Sequence, residues 1–218
     1  MPPVISIIGK SKVGKTTLIK KLTEELKSRG YRVATIKHAP EGVTFDEPGK
    51  DSWRHIQAGS DATAISSANQ VVVIRPVAHA ANLDEIGRLL GEDYDIILTE
   101  GFKHDDAPKI EVHRSEVGPP FSTATKLIAI ATNEPLETKT RQFSLEDVKG
   151  LADLLEKGFI KPQSERVSIY VNDIRIPLTS FVREIVSSTL LGMISSLKGV
   201  EEIRTLEVFL KKKPTQQK

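Results

Sequence analysis

Residues Gly9 to Thr16, GKSKVGKT, fill the pattern G-x-x-x-x-G-K-[ST], and they do so between the apolar run Val4–Ile8 and a helical pattern. Few short segments commit a chain so narrowly. Glycines let backbone N–H groups converge on a phosphate, and a helix N-terminus adds about half a positive charge there. The opening must therefore be strand, loop, helix. Val4–Ile8 has the β-branched, unbroken apolarity of a strand buried on both faces, and Leu18, Ile19, Leu22 and Leu26 recur at helical spacing before Gly30 stops the helix. Polyphosphate is the natural ligand. Gly9, Lys10, Ser11, Val13 and Gly14 would cradle it, Lys15 would reach the β- and γ-phosphates, and the Thr16 hydroxyl is placed to coordinate Mg²⁺. Thr17 would cap the helix or contact the α-phosphate.

Downstream, RVATIKH, ATAIS, QVVVIRP, YDIILTE, KIEVH and KLIAIAT read as strands. SWRHIQAG, NLDEIGRLLG and SLEDVKGLADLLEKG read as helices, the last with Ser144 as N-cap. Such alternation predicts a layered α/β fold, a mostly parallel sheet with helices on both faces, and with the opening loop it is the P-loop NTPase architecture. A long polar stretch with Pro40, Gly42, Pro48 and Gly49 is expected to be functional or mobile. The texture changes after Lys161-Pro162. Residues 1–161 are expected to form the nucleotide-binding domain and 162–218 a small module. That module reads as a ββαβ appendage from Glu165 to Leu210: a hairpin turning at Asn172-Asp173, a helix whose Phe181, Ile185, Ile194 and Leu197 form a core stripe, and a strand in IRTLEVFL. A basic, frayed tail, KKKPTQQK, follows.

The 218 residues suffice for one main core with a small addition, and 39% apolar against 28% charged content is that of a globular protein. Cysteine is absent, which excludes disulfides, thiolate metal sites and cysteine nucleophiles and fits a cytoplasmic location. The net charge of +2 is concentrated near the tail, so neither nucleic acid nor membrane is expected as a partner. No run approaches the roughly 20 apolar residues of a membrane span, and with VISII so near the first residue neither export nor membrane embedding is expected.

In open parallel sheets ligands lie beyond the carboxyl ends of the strands. Lys37 and His38, Glu100 with Gly101, and Asn133 fall there. Glu100 would hold Mg²⁺ through a water, or else be satisfied by a neighbouring loop, and Asp46 is a second metal candidate. Asp95, ahead of its apolar run, reads as a strand-start surface residue. His38 would shuttle a proton, contact substrate, or serve only its loop. Lys37, Lys50 and Lys103, with His38 and Asp51 beside them, would form a second anion pocket next to the nucleotide, or simply be solvated.

The loop resembles the variant phosphate loop of the signal-recognition and partitioning class, in which the second residue is a lysine that reaches the phosphates of a dimer partner. Lys10 stands in that position, although Ser11 and Lys12 replace the usual glycines; the alternative is a solvent-facing lysine. The ordered set GKSKVGKTTLIKKL, TIKH, FDEPGKDSWRHIQAG, DIILTEGFKH and KIEVHR is similar to the MobB family of molybdopterin-guanine dinucleotide biosynthesis adapters, over about Val4 to Ile130. That resemblance implies a dimeric GTP-binding protein with weak GTPase activity, which assists a guanylyltransferase in transferring GMP to molybdopterin. Lys15, Lys10 and Glu100 would act at the phosphates, Thr16 and Glu100 would serve Mg²⁺, and the lysines of PGKDS and EGFK would line the second pocket. Molybdopterin or molybdoenzymes are further partners on this analogy. The histidine cluster common in relatives is reduced here to His38, and the Arg-Met-Gly signature of the transferase itself is absent. ATNEP matches a guanine-reading Asn-Lys-x-Asp only through Asn133, so GTP rests on the family likeness. The alternatives are a small-molecule kinase, which lacks here the usual arginine-rich lid, and a pure binding module.

Overall fold

A computed structural model describes residues 1–39, 43–121, 124–163, 166–172 and 174–210. Pro40, Gly42, Glu165, Asp173 and the lysine-rich tail lie outside the described residues. The chain divides into two compact units, residues 1–165 and 166–218.

The first unit is built on a six-stranded sheet. In chain order its strands are β1 (Val4–Ile8), β2 (Val33–Lys37), β5 (Ile96–Glu100), β6 (Lys109–His113), β7 (Leu127–Thr132) and β8 (Gln142–Ser144), and in space they run β2-β5-β1-β6-β7-β8. Every pairing is parallel. Parallel strands need crossovers, which put helices on the faces and bury the strands on both sides; all five residues of β1 are accordingly buried.

Alternation along the strands divides the core in two. Ile5, Ile7, Ile96, Leu98, Ile110, Val112, Ala129 and Ala131 face one side, where α1 (Lys15–Ser28) and α4 (Val148–Leu155) cover them. Leu22 and Leu26 of α1 are wholly buried there, each stabilising by about 1.5–3 kcal/mol. Val4, Ala34, Ile36 and Ile97 face the other side and meet Leu83 of α3 (Leu83–Leu90). Asn82 and Glu85 close the start of α3 in a reciprocal capping box. Helices on both faces follow from the sequence pattern.

Several details differ from the sequence reading. The strands in ATAIS and QVVVIRP, β3 (Thr63–Ser66) and β4 (Val71–Ile74), leave the main sheet and pair antiparallel as a separate hairpin. The tight turn closed by the Ser67 N–H donating to Gln70 O at 2.8 Å makes local pairing the short route, where a parallel strand would need a crossover. Ser144 does not cap α4. It ends β8, paired with Thr132, and Asp147 takes the cap by accepting from Gly150 N at 3.0 Å. The helix α2 (Asp51–Gln57) lies where SWRHIQAG predicts it. The β6–β7 connection carries no α-helix among its described residues, only the 3-10 turn Ser115–Val117. In its place the odd-numbered residues of β6, Lys109, Glu111 and His113, form a buried polar row bound to loops: Lys109 Nζ donates to Asp105 O and Ala107 O, and Glu111 Oε1 accepts from Phe121 N at 2.7 Å.

In the second unit, β9 (Ile169–Val171) and β10 (Ile174–Ile176) form the expected hairpin, and α5 (Ser180–Ser195) follows with Thr179 as N-cap. The final strand is absent: residues 201–210 have no regular secondary structure. The expected core stripe is not buried either, since Phe181, Ile185 and Leu197 are exposed, Ile194 is half-buried and α5 buries no residue. Two short strands and one helix offer too little apolar surface to enclose that face. Among the described residues no helix is long and apolar enough to cross a membrane.

One polar hub locks the first unit. Arg29, at the end of α1, donates to Glu25, Asp153 and Glu156. Glu156 also accepts from Tyr31 OH at 3.0 Å and pairs with Lys161 at 2.8 Å. Lys161, Arg29 and Tyr31 together hold the Glu156 carboxyl at about 2, well below its ordinary range. A depressed carboxylate stabilises the fold above its unfolded pKa, and that contribution is lost as pH falls through the folded value. Glu156→Gln should therefore be less stable than wild type at neutral pH in urea unfolding, with the gap closing between about pH 4.5 and 2. A gap independent of pH would exclude this role.

Candidate functional site

The parallel ladder sets β1 between β5 and β6, so Gly9 emerges beside the ends of both. Its approach is close enough that a Cβ there would lie 2.4 Å from Val112 O, which is why only glycine starts this loop. Gly14 (φ 105°) then turns the chain into α1 in a left-handed conformation, and no side chain caps the helix, Thr17 included. The first N–H groups of α1 are left for a ligand. Lys15 Nζ folds back over the loop and donates to Gly9 O at 3.1 Å and Lys10 O at 2.8 Å. Ser11, Thr16 and Thr17 are exposed, whereas Val13 is buried and anchors the loop from beneath.

Across the loop, the Thr16 hydroxyl donates to Glu100 Oε2 at 2.8 Å. Glu100 is 18% exposed and has Lys37 Nζ at 3.8 Å, with that lysine largely in solvent. A hydroxyl and a carboxylate side by side at a phosphate loop are hard oxygen donors of the kind Mg²⁺ takes, so the residues present fit the metal. Asp46 accepts from Glu47 N and Ser52 Oγ in its own turn, and among the described residues none of its contacts joins it to Thr16 or Glu100. No group of three or more His, Asp or Glu side chains among the described residues could hold a metal without the phosphates.

The second pocket is brought together only in part. His38 packs edge-on against Phe102 at 5.0 Å, and its backbone N–H donates to Glu100 O at 3.1 Å, so Lys37, His38 and Glu100 share one corner. Lys103, on the loop that follows β5, lies 5.8 Å over the Phe121 ring. Lys50 precedes α2 and pairs with Glu47, while Asp51 pairs with Arg54. No ion pair or hydrogen bond among the described residues links Lys50 or Asp51 to the other three.

The strand-end residues read from the sequence do not include the end of β6, and the structure puts a cluster of hydrogen bonds there. Arg114 Nε donates to Val13 O at 2.9 Å, clasping the phosphate loop from the side. Asn133, at the end of β7, accepts from Ser115 N at 3.1 Å and donates through Nδ2 to both carboxylate oxygens of Glu116, each at 3.1 Å. His113 Nε2 and Glu134 Oε1 lie 2.9 Å apart. The signal was present in KIEVHR, whose final arginine stands where a strand must end beside the loop. Lys10 turns toward this same connection: a Cβ on Gly118 would be 3.0 Å from its Nζ. Its charge also reaches Glu111, whose carboxyl burial pushes up while the Phe121 N–H, His113 and Lys10 oppose the rise.

This geometry can be set beside known proteins. The family model for molybdopterin guanine dinucleotide synthesis protein B matches residues 4–133, the span from β1 to Asn133. The molybdopterin-guanine dinucleotide biosynthesis adapter protein of Haemophilus influenzae is 35% identical over 156 residues, covering 71% of this chain and 88% of its own. The Escherichia coli protein of the same name is 34% identical over 161 residues, covering 71% and 92%. A crystal structure of molybdopterin-guanine biosynthesis protein B superposes with a TM-score of 0.56 at 29% identity, over 71% of this chain and 97% of that one. On the family match over more than half of its length and on these relatives, the chain belongs to the MobB family.

Proposed function

We propose that this chain is a GTP-binding adapter with slow GTPase activity, which acts as a cytoplasmic homodimer and assists a guanylyltransferase in attaching GMP to molybdopterin. The observation that carries the reading is the Thr16–Glu100 hydrogen bond beneath a phosphate loop, in a chain whose relatives bear the adapter name. Converging backbone amides of residues 9–16 would bind the phosphates, and Lys15, already over the loop, would meet their charge. Thr16 and Glu100 would hold Mg²⁺, which neutralises phosphate charge when bound. Lys37 and His38 at the same corner would face whatever the partner presents, molybdopterin included.

The hairpin supports the dimer. Val71 and Val73 lie on one face of β4, 65% and 63% exposed, and Ile65 of β3 is also exposed. An isolated two-stranded sheet is marginally stable, and its exposed valines leave an apolar face that a partner can cover. A second copy of this chain fits such a face.

Calorimetric titration with Mg²⁺ should give a clear preference for GTP over ATP. Lys15→Ala should weaken GTP binding by about 10- to 100-fold, the range for loss of a hydrogen bond to a charged group, without lowering the melting temperature. Preference for ATP, or unchanged affinity in the variant, would overturn the reading. In sedimentation, wild type should run at twice the chain mass, and Val71→Lys with Val73→Lys should shift it to the monomer. A wild-type monomer would sink the dimer.

A further inference from the structure

Guanine presents two donors on one edge, N1–H and the 2-amino group, where adenine presents an unprotonated N1 and no 2-amino group. A site that reads guanine therefore needs an acceptor-only group held in place, and an ionised carboxylate is the side chain that supplies one. The sequence after β7, Asn133-Glu134-Pro135-Leu136, has the asparagine of such a reader but a leucine in place of the acid three residues on. Glu134 is already engaged: His113 lies 2.9 Å from its carboxylate, and its main chain exchanges hydrogen bonds with the Thr132 hydroxyl.

The fold brings a different acid to Asn133. The loop after β6 turns at Ser115–Val117, and there Asn133 accepts from Ser115 N and spans both oxygens of the Glu116 carboxylate at 3.1 Å. Glu116 itself is exposed, and a carboxylate keeps acceptor capacity beyond the two bonds from Asn133. Its own backbone N–H, the Asn133 amide and the charge of Arg114 hold it below the usual carboxylate range. Arg114 ties the same loop to Val13 O of the phosphate loop at 2.9 Å. Carboxylate, asparagine and phosphate cradle thus all meet the short segment Arg114 to Glu116, at the carboxyl ends of β6 and β7 where ligands of such sheets lie.

We propose that Glu116, presented by Asn133 across two strand-end loops, is the carboxylate that reads the N1–H and 2-amino edge of guanine in this chain. The inference rests on the GTP-binding reading above. Asn133 is a positioning residue, acting through Glu116.

The test is a titration of wild type and Glu116→Gln with GTP, ITP, XTP and ATP, each with Mg²⁺, alongside melting curves. Inosine lacks the 2-amino group, so ITP should bind wild type about tenfold or more weakly than GTP; this comparison needs no variant. Glu116→Gln should lose about 10- to 100-fold for GTP, leave ATP unchanged, and gain for XTP, whose 2-carbonyl accepts from the new amide. Asn133→Ala should shift the same GTP-to-ATP ratio in the same direction by less. A wild type that prefers GTP but whose GTP-to-ATP ratio ignores Glu116→Gln would overturn the proposal and leave the adapter reading standing. Equal losses for GTP and ATP would make Glu116 a loop fastener only and would overturn it too. A wild type without preference for GTP would fell both readings together.

Discussion

The pairing of β1 between two parallel neighbours is the constraint on which the site depends. Ile5, Ser6 and Ile7 are registered on Leu98, Thr99 and Glu100 of β5, while Ser6, Ile7 and Ile8 are registered on Lys109, Ile110 and Glu111 of β6. A strand held on both edges and buried on both faces has no freedom to slip, because a one-residue shift would turn its core face outward. Its end therefore fixes where Gly9 leaves the sheet. Thr16 then meets Glu100 on one side, and Val13 meets Arg114 on the other.

Much of the first unit was readable because its signals are local. VISII, YDIILTE and KLIAIAT are short apolar runs with clear ends, and the phosphate loop has its residue types at fixed spacing. The parts that escaped depend on distant partners. Ser144 has the chemistry of a helix cap, but it is used in pairing with Thr132, so the cap falls to Asp147. The stripe Phe181, Ile185, Ile194 and Leu197 has helical period, yet period says nothing about whether anything covers it, and among the described residues none of the four is buried. IRTLEVFL has the composition of a strand, but strands exist only where a neighbour accepts their hydrogen bonds. Glu116 and Asn133 lie 17 residues apart in the chain, and only the adjacency of β6 and β7 makes them one group.

The polar row on β6 shows how the fold manages without a helix over its β6–β7 connection. Lys109, Glu111 and His113 are nearly excluded from solvent, and buried polar groups of that kind are tolerated only with partners. The partners are loop carbonyls, a loop N–H and Glu134. Where apolar packing would let a loop slide, these directional bonds assign it one position. Glu111 Oε2 is the exception, buried with no hydrogen-bond partner among the described residues, and the charge of Lys10 reaches the same carboxyl.

The hydrogen bonds of Lys15 to Gly9 O and Lys10 O have a thermodynamic meaning. A free lysine side chain carries up to about 2 kcal/mol of rotamer entropy, which a phosphate ligand would otherwise have to remove. Here that freedom is surrendered during folding, with the carbonyls of the loop itself as the template. Nucleotide capture can then proceed as an exchange of acceptors around an ammonium already in place.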